Sequence, residues 1–289
     1  MAHMDRFGPL VTSQQNARVK AARSLAQKKF RQKDRTFLAE GEAFLRMGLK
    51  AGFELREVFV IDDSLSRIDD LLHAGHVRAR DVALTTPAVQ ASLAGRDNPQ
   101  AVISVFRQKA LTLDEVELKE NALWVALQEP RDPGNLGTVI RTADAAGADG
   151  VILLGGGCDP YGPEVVRASM GSLFAVPVIR ADLKAFRDWQ TMAATPGQTV
   201  GLALEGSTIY TDAEYSAPLI LMAGNEQTGL PEAYRAACDR LIHIPMAGEA
   251  ESLNLAVSTA IVLYHAAHAL HRFQGERATP STLDFKPQG

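Results

Sequence analysis

The stretch from residue 122 to 270 constrains this chain most, because short apolar runs alternate there with helical repeats across loops marked by Gly and Pro. Residues 123–127 read Leu-Trp-Val-Ala-Leu, residues 136–146 repeat apolar side chains at helical spacing up to Gly147, and residues 151–154 form a second apolar run. Apolar runs without polar alternation are strands buried on both faces, and a helix between two of them makes a βαβ unit. Strand-like runs at 173–179, 199–204, 218–223 and 241–245 alternate with helical patterns at 183–192, 231–238 and 253–270, and Pro163 marks another helix start. The fold class is therefore α/β, a doubly wound, largely parallel sheet flanked by helices.

A smaller α/β unit precedes it. Val19, Ala22, Leu25 and Ala26 recur at helical spacing between residues 16 and 27, after Thr12-Ser13, whose hydroxyls offer an N-cap. Strands at 37–39, 55–61 and 101–106 and helices at 43–51, 69–72 and 87–93 follow. The charged stretch 107–121 loses the apolar rhythm. The organisation read from this is a first domain over 9–106, a linker over 107–121, a second domain over 122–272, and a disordered polar tail over 273–289. Met1-Ala2-His3-Met4 reads as a cloning remnant.

Charge separates the two units. The first 50 residues carry eleven Lys or Arg against four Asp or Glu, although the whole chain has a formal charge of −4. Arg18, Lys20, Arg23, Lys28, Lys29, Arg31, Lys33 and Arg35 crowd into eighteen residues, opposed by Asp34 alone. Such a segment attracts a polyanion, and equally reads as a solvated helix face. No apolar run approaches the ~18 residues that span a bilayer, and no charged-then-apolar leader opens the sequence. Cys158 and Cys238 are the two cysteines and show no CxxC spacing. Neither a disulfide framework nor a cysteine metal site is indicated, and a reducing cytoplasm fits.

Ligands of open parallel sheets bind at the carboxyl ends of strands, so the loops after the apolar runs hold the candidate chemistry. One is Glu129-Pro130-Arg131-Asp132-Pro133-Gly134-Asn135-Leu136-Gly137, with Arg141 further along the helix. Asn135 is placed to cap that helix, and Arg141 also reads as a surface arginine. Another is Gly224-Asn225-Glu226-Gln227-Thr228-Gly229, two glycines five apart with a carboxylate between them. A third is Ile244-Pro245-Met246, followed by Ser252-Leu253-Asn254 before a long apolar helix, with Ser252 as its default cap. Walker, GxGxxG, GxSxG and HExxH patterns are absent, and His243, His265, His268 and His271 form no metal set, which removes support for nucleotide hydrolysis, dinucleotide binding, serine hydrolysis and zinc chemistry.

These three segments, in this order and spacing, resemble the motifs of the SpoU (TrmH) family of RNA 2′-O-ribose methyltransferases, over residues 122 to 270. Residues 9 to 106, with Thr12-Ser13, Asn16, Val19-Lys20, Phe37-Leu38 and Glu40-Gly41-Glu42, resemble the ribosomal-protein-like RNA-binding domain that precedes the catalytic domain in one branch. The resemblance implies a homodimer, a C-terminal deep trefoil knot and S-adenosyl-L-methionine as methyl donor. Carried over by motif position, Leu204, Gly224, Ile244, Met246 and Leu253 line the cofactor pocket, and Asn135, Arg141, Glu226, Ser252 and Asn254 form the catalytic surface. Asn225 departs from the small residue usual before the motif glutamate. Asn135 or Glu226 is expected to hold Arg141, which resembles the family's proposed general base. Because an arginine of pKa ~12.5 or above is scarcely neutral near pH 7, an electrostatic anchor is the alternative role. RNA phosphates are expected to meet Arg18, Lys20, Lys28, Lys29, Arg31 and Lys33. The expected partner is ribosomal RNA, with tRNA, or a non-catalytic assembly role, as alternatives.

Overall fold

A computed structural model describes residues 4–192, 197–206 and 208–273. The expected disordered tail lies outside the described residues from 274 onward, as do residues 1–3.

The first unit is a four-stranded sheet of β1 (Thr36–Glu40), β2 (Leu55–Ile61), β3 (Val82–Thr85) and β4 (Val102–Arg107), in the order β1-β4-β2-β3. β4 runs antiparallel to both neighbours, while β3 runs parallel to β2. The short β3 is buried at every position and has no polar alternation to announce it. The basic segment before this sheet forms two helices rather than one. Ala17–Ser24 is capped by Asn16, whose side chain accepts from the Arg18 N–H at 2.9 Å, so Thr12 and Ser13 do not cap it. The N–H groups of Leu25, Ala26 and Gln27 then turn back to the carbonyls three residues earlier, which closes the first helix before Lys28–Asp34 begins.

The second unit is a seven-stranded sheet of β5 (Leu123–Gln128), β6 (Gly150–Leu154), β7 (Val178–Ala181), β8 (Gln198–Leu202), β9 (Thr208–Ile209), β10 (Leu219–Ala223) and β11 (Arg240–His243). Its order is β7-β6-β5-β10-β8-β11-β9, and every neighbouring pair is parallel. β5, β6 and β10 are buried at every residue, as runs without alternation require. The strand expected at 173–179 is divided into a 3-10 turn, Ser172–Phe174, and β7. Gly171, at φ +95, turns the chain on one side and Pro177 interrupts backbone donation on the other. From β5 the chain builds outward to β6 and β7, and the other strands extend the sheet from the opposite edge of β5. The switch point thus lies between β5 and β10, where a crevice opens at the carboxyl ends.

The two sheets share one hydrophobic core. Phe174 of the second unit sits among Phe53, Phe106 and Phe37 of the first, at ring-centroid distances of 5.0, 5.3 and 5.9 Å. Tyr161 packs on Phe37 at 4.8 Å and exchanges hydrogen bonds with the Lys109 backbone. The connecting stretch after β4 is also packed: Leu113 and Leu118 are buried, and the Trp189 indole donates to the Val116 carbonyl at 2.8 Å. The first unit is therefore seated against the second, not tethered beside it.

Candidate active site

The loop after β5 leads into the helix Pro133–Ala145. Asp132, not Asn135, caps that helix: its carboxylate accepts the Asn135 N–H at 2.6 Å. Capping belongs to the extended residue just before the first turn, so Asn135, already helical, has a free amide. That amide joins the three segments. Asn135 Nδ2 donates to Glu226 Oε1 at 2.9 Å, and Asn135 Oδ1 accepts from Asn254 Nδ2 at 2.8 Å. Asn254 Oδ1 in turn accepts from the N–H groups of Ala256 (2.8 Å) and Val257 (3.3 Å), capping the final helix, Leu255–Ala269. Ser252, two residues upstream of that cap, is not the cap and stands exposed beside the loop.

Glu226 also accepts from the backbone N–H groups of Arg131 (3.2 Å) and Asp132 (3.3 Å). Partial burial pushes its pKa up, but the Asn135 amide and the backbone donors outweigh burial and hold the carboxyl below its ordinary range. Asn225 explains how the loop keeps its shape. Its Oδ1 accepts from the N–H groups of Gln227 and Thr228, and its Nδ2 donates to the buried Gln128 Oε1 at the end of β5, at 3.0 Å. A small residue here would lose all three bonds. Gly224 is required by close approach, since a Cβ would lie 2.0 Å from the Gly229 carbonyl carbon.

Beside this network lies a cavity of about 680 Å³, its open mouth included. Leu204, Gly224, Ile244, Met246 and Leu253 all line it, with Glu226 and Ser252. Arg141 is exposed on the helix Pro133–Ala145, and among the described residues it has no hydrogen-bond or ion-pair partner. Neither Asn135 nor Glu226 holds it, because each is engaged with the other. Of the expected RNA contacts, Lys20, Lys28, Lys29 and Lys33 are exposed, while Arg18 pairs with Glu57 and is 41 % exposed at its side chain. Arg31 is corrected. It is only 4 % exposed, and its guanidinium is taken up by Asp159 at 2.8 Å and by the carbonyls of Leu25 (2.7 Å) and Ala26 (2.9 Å). These contacts engage four of its five N–H donors.

Residues 122–264 match the family model of the SpoU rRNA Methylase family, and residues 16–104 match that of the MRM3-like substrate binding domain. The chain is 34 % identical to the Bacillus subtilis 23S rRNA (guanosine(2553)-2′-O)-methyltransferase RlmP, over 88 % of this chain and 98 % of the relative. This chain belongs to the SpoU rRNA methylase family. A second relative, the 23S rRNA (uridine(2479)-2′-O)-methyltransferase of Streptomyces viridochromogenes, is 37 % identical over 70 % of this chain and 71 % of its own length. The crystal structure of an AdoMet-bound rRNA methyltransferase from Sinorhizobium meliloti superposes with a TM-score of 0.83 at 40 % identity, covering 90 % of this chain and 97 % of that one. In this SpoU chain, sequence reasoning passed over three polar residues that build the site: Asp132 as the cap, Asn225 as the loop brace, and Arg131, whose guanidinium donates to Gln227 Oε1 at 2.5 Å. Asp132 directly before Pro133 and Asn225 directly after a glycine are both turn and cap signatures that were open to reading.

Proposed function

We propose that this chain transfers the methyl group of S-adenosylmethionine to a ribose 2′-hydroxyl of ribosomal RNA, in the cytoplasm and as a homodimer. The observation that carries this is the Glu226–Asn135–Asn254 chain of hydrogen bonds, which joins one residue from each motif segment and ends on Glu226 in the lining of a single cavity. The cavity suits the cofactor by its own chemistry. Its wall is mostly apolar, and the backbone N–H groups of Ile244, Met246 and Leu253 have no partner among the described residues, which leaves donors for a polar ligand edge.

When bound, adenosylmethionine supplies a methyl group activated by a sulfonium. The work left to the protein is to orient a ribose hydroxyl and to stabilise charge. Glu226, held ionised by its donors, sets a negative charge at the cavity rim. Asn135 fixes that carboxylate relative to the final helix. Arg141, without a partner among the described residues, is the group available to an RNA phosphate or to the developing alkoxide. The domain reading of 9–106 for RNA and 122–272 for chemistry assigns selection of the molecule to the first unit, and the trefoil knot implied by the family belongs to the second.

Ribosomal RNA is favoured over tRNA by the 23S rRNA activity in the names of the two relatives described above. Transfer from labelled adenosylmethionine into total RNA of cells lacking this protein, followed by nucleoside mass spectrometry, is expected to yield a 2′-O-methylnucleoside in large-subunit rRNA. Label in tRNA would overturn the substrate assignment. Cofactor binding without any transfer to RNA would overturn the enzymatic one.

The final helix supports the dimer. It is apolar around most of its circumference, yet leaves Val257 47 % and Tyr264 44 % exposed, and the Tyr264 ring stacks on the exposed Phe273 at 5.6 Å. Sedimentation is expected to show a dimer, and Val257→Asp to shift it toward monomer by placing a charge in the covered face.

A further inference from the structure

A cleft brings part of the basic run of the first unit against the first motif loop of the second. The helix Lys28–Asp34 faces the loop after β5 across a depression of about 1140 Å³, its open mouth included. Lys28 stands on one wall and Arg131 on the other, with Arg31 and Asp159 also lining the cleft. Arg31 and Asp159 neutralise one another. Lys28 has no hydrogen-bond or ion-pair partner among the described residues, and Arg131 has no carboxylate partner; its guanidinium is steadied by Gln227 alone. Against these two free cations the lining sets one further carboxylate, the exposed Glu164. Summed over its lining residues the cleft carries one net positive charge, with the Asp132 and Glu226 carboxylates close enough to act on Cys158, and it is open to solvent.

It is also preformed and aimed. The Arg31–Asp159 pair and the Phe174 contacts fix the first unit against the second. Cys158, next to Asp159, donates from Sγ to the Arg131 carbonyl at 2.9 Å, and from its backbone to the Pro130 carbonyl at 2.8 Å. The Arg131 N–H then donates to Glu226, the carboxylate at the rim of the cavity. A polyanion lying between Lys28 and Arg131 thus ends one residue from the hydrogen-bonded network of the site.

We infer that this cleft seats the phosphodiester backbone of the RNA strand leading into the active site, with Lys28 and Arg131 as its phosphate ligands. This rests on the RNA methyltransferase reading above and adds the path of the strand. Phosphate contacts of this kind set position and affinity and carry no sequence information. Gln227 is a positioning residue for Arg131.

The test is the salt dependence of binding to a fluorescein-labelled single-stranded RNA, which needs no turnover. Each of Lys28→Ala and Arg131→Ala is expected to reduce the slope of log K against log [KCl] by about 0.7, and the double variant by about twice that. Arg131→Lys, which retains the charge, is expected to restore the slope. Affinity for adenosylmethionine is expected to stay at the wild-type value in all of them, because the cofactor cavity and the Arg131 N–H to Glu226 are untouched. Lys119→Ala, an exposed lysine just before β5 and so at the opposite end of that strand from the loop lining the cleft, is the control and leaves the slope unchanged. A slope that moves for Lys28→Ala and not for Arg131→Ala would overturn the cleft, since RNA would then touch the first unit without entering it. Wild-type slopes in both variants would overturn it as well. The expected slope reductions in the variants, together with no methyl transfer by the wild-type protein, would instead count against the methyltransferase reading alone.

Discussion

Asn135→Ala is expected to lower kcat by about 10²-fold while adenosylmethionine affinity changes by less than about threefold, because an approximately 1 Å misplacement of reacting groups is enough for a loss of that size. The substitution removes the donor that steadies Glu226 and the acceptor that holds Asn254, at a half-buried helical position where alanine is well tolerated. Stability should therefore hardly move. Asn135→Asp is the sharper variant, since it replaces the amide 2.9 Å from Glu226 Oε1 with a second carboxylate. In the wild-type protein donors hold the Glu226 pKa down; in this variant like-charge repulsion raises it, so the pair resists double ionisation. The ratio of the variant's rate to the wild-type rate is then expected to rise as pH falls from about 8 to 6, because one proton relieves the repulsion. Steady-state kinetics with both substrates, and cofactor binding measured by calorimetry, check this. A kcat within threefold of wild type for Asn135→Ala would show that the three-segment network does not position the reacting groups.

The second sheet was legible because β5, β6 and β10 are buried on both faces and show it as unbroken apolar runs, while the helices between them keep a helical period. β3 and β9, with four and two residues, are too short for any period to register, and their pairing is decided by neighbours distant in sequence. The same distinction runs through the site. The family resemblance pointed to Leu204, Gly224, Ile244, Met246 and Leu253, and these share one cavity. Which polar atom meets which could not. Asn135 and Asn254 are 119 residues apart, and whether an asparagine caps its own helix or bridges to another depends on the residue before it, here Asp132. Charge density misled for a related reason. Arg31 lies in the same basic run as Lys28, Lys29 and Lys33, and nothing local distinguishes a solvated cation from one whose partner, Asp159, is 128 residues downstream.

That partnership makes Arg31 the most consequential stability position among the basic residues. Its side chain is 5 % exposed and that of Asp159 14 %, so solvent and salt screen the pair little, unlike the surface pairs Lys184–Asp188 or Arg56–Glu54. Arg31→Ala leaves the Asp159 carboxylate buried without its cation and the Leu25 carbonyl without its donor, which is expected to cost about 3–5 kcal/mol. For a chain of this size that corresponds to a fall in apparent Tm of roughly 10 °C. Arg31→Met with Asp159→Leu removes both charges and fills similar volume, so the expected loss is only about 1–2 kcal/mol, mostly from the carbonyls of Leu25 and Ala26 that lose their donor. Calorimetric melting of the wild type, the single variant and the double variant decides the matter. Equal losses in the single and double variants would mean that the ion pair and the Arg31 donors, absent from both, carry the stability, whereas a double variant that melts well above the single one locates the cost in the orphaned charge and the vacated volume. In the second case a stable double variant lacking the Arg31–Asp159 pair also shows whether the seating of the basic helices matters to turnover apart from folding. With Lys28 intact and the protein folded, a kcat that falls while RNA affinity holds would place the pair's role in the alignment of the two units.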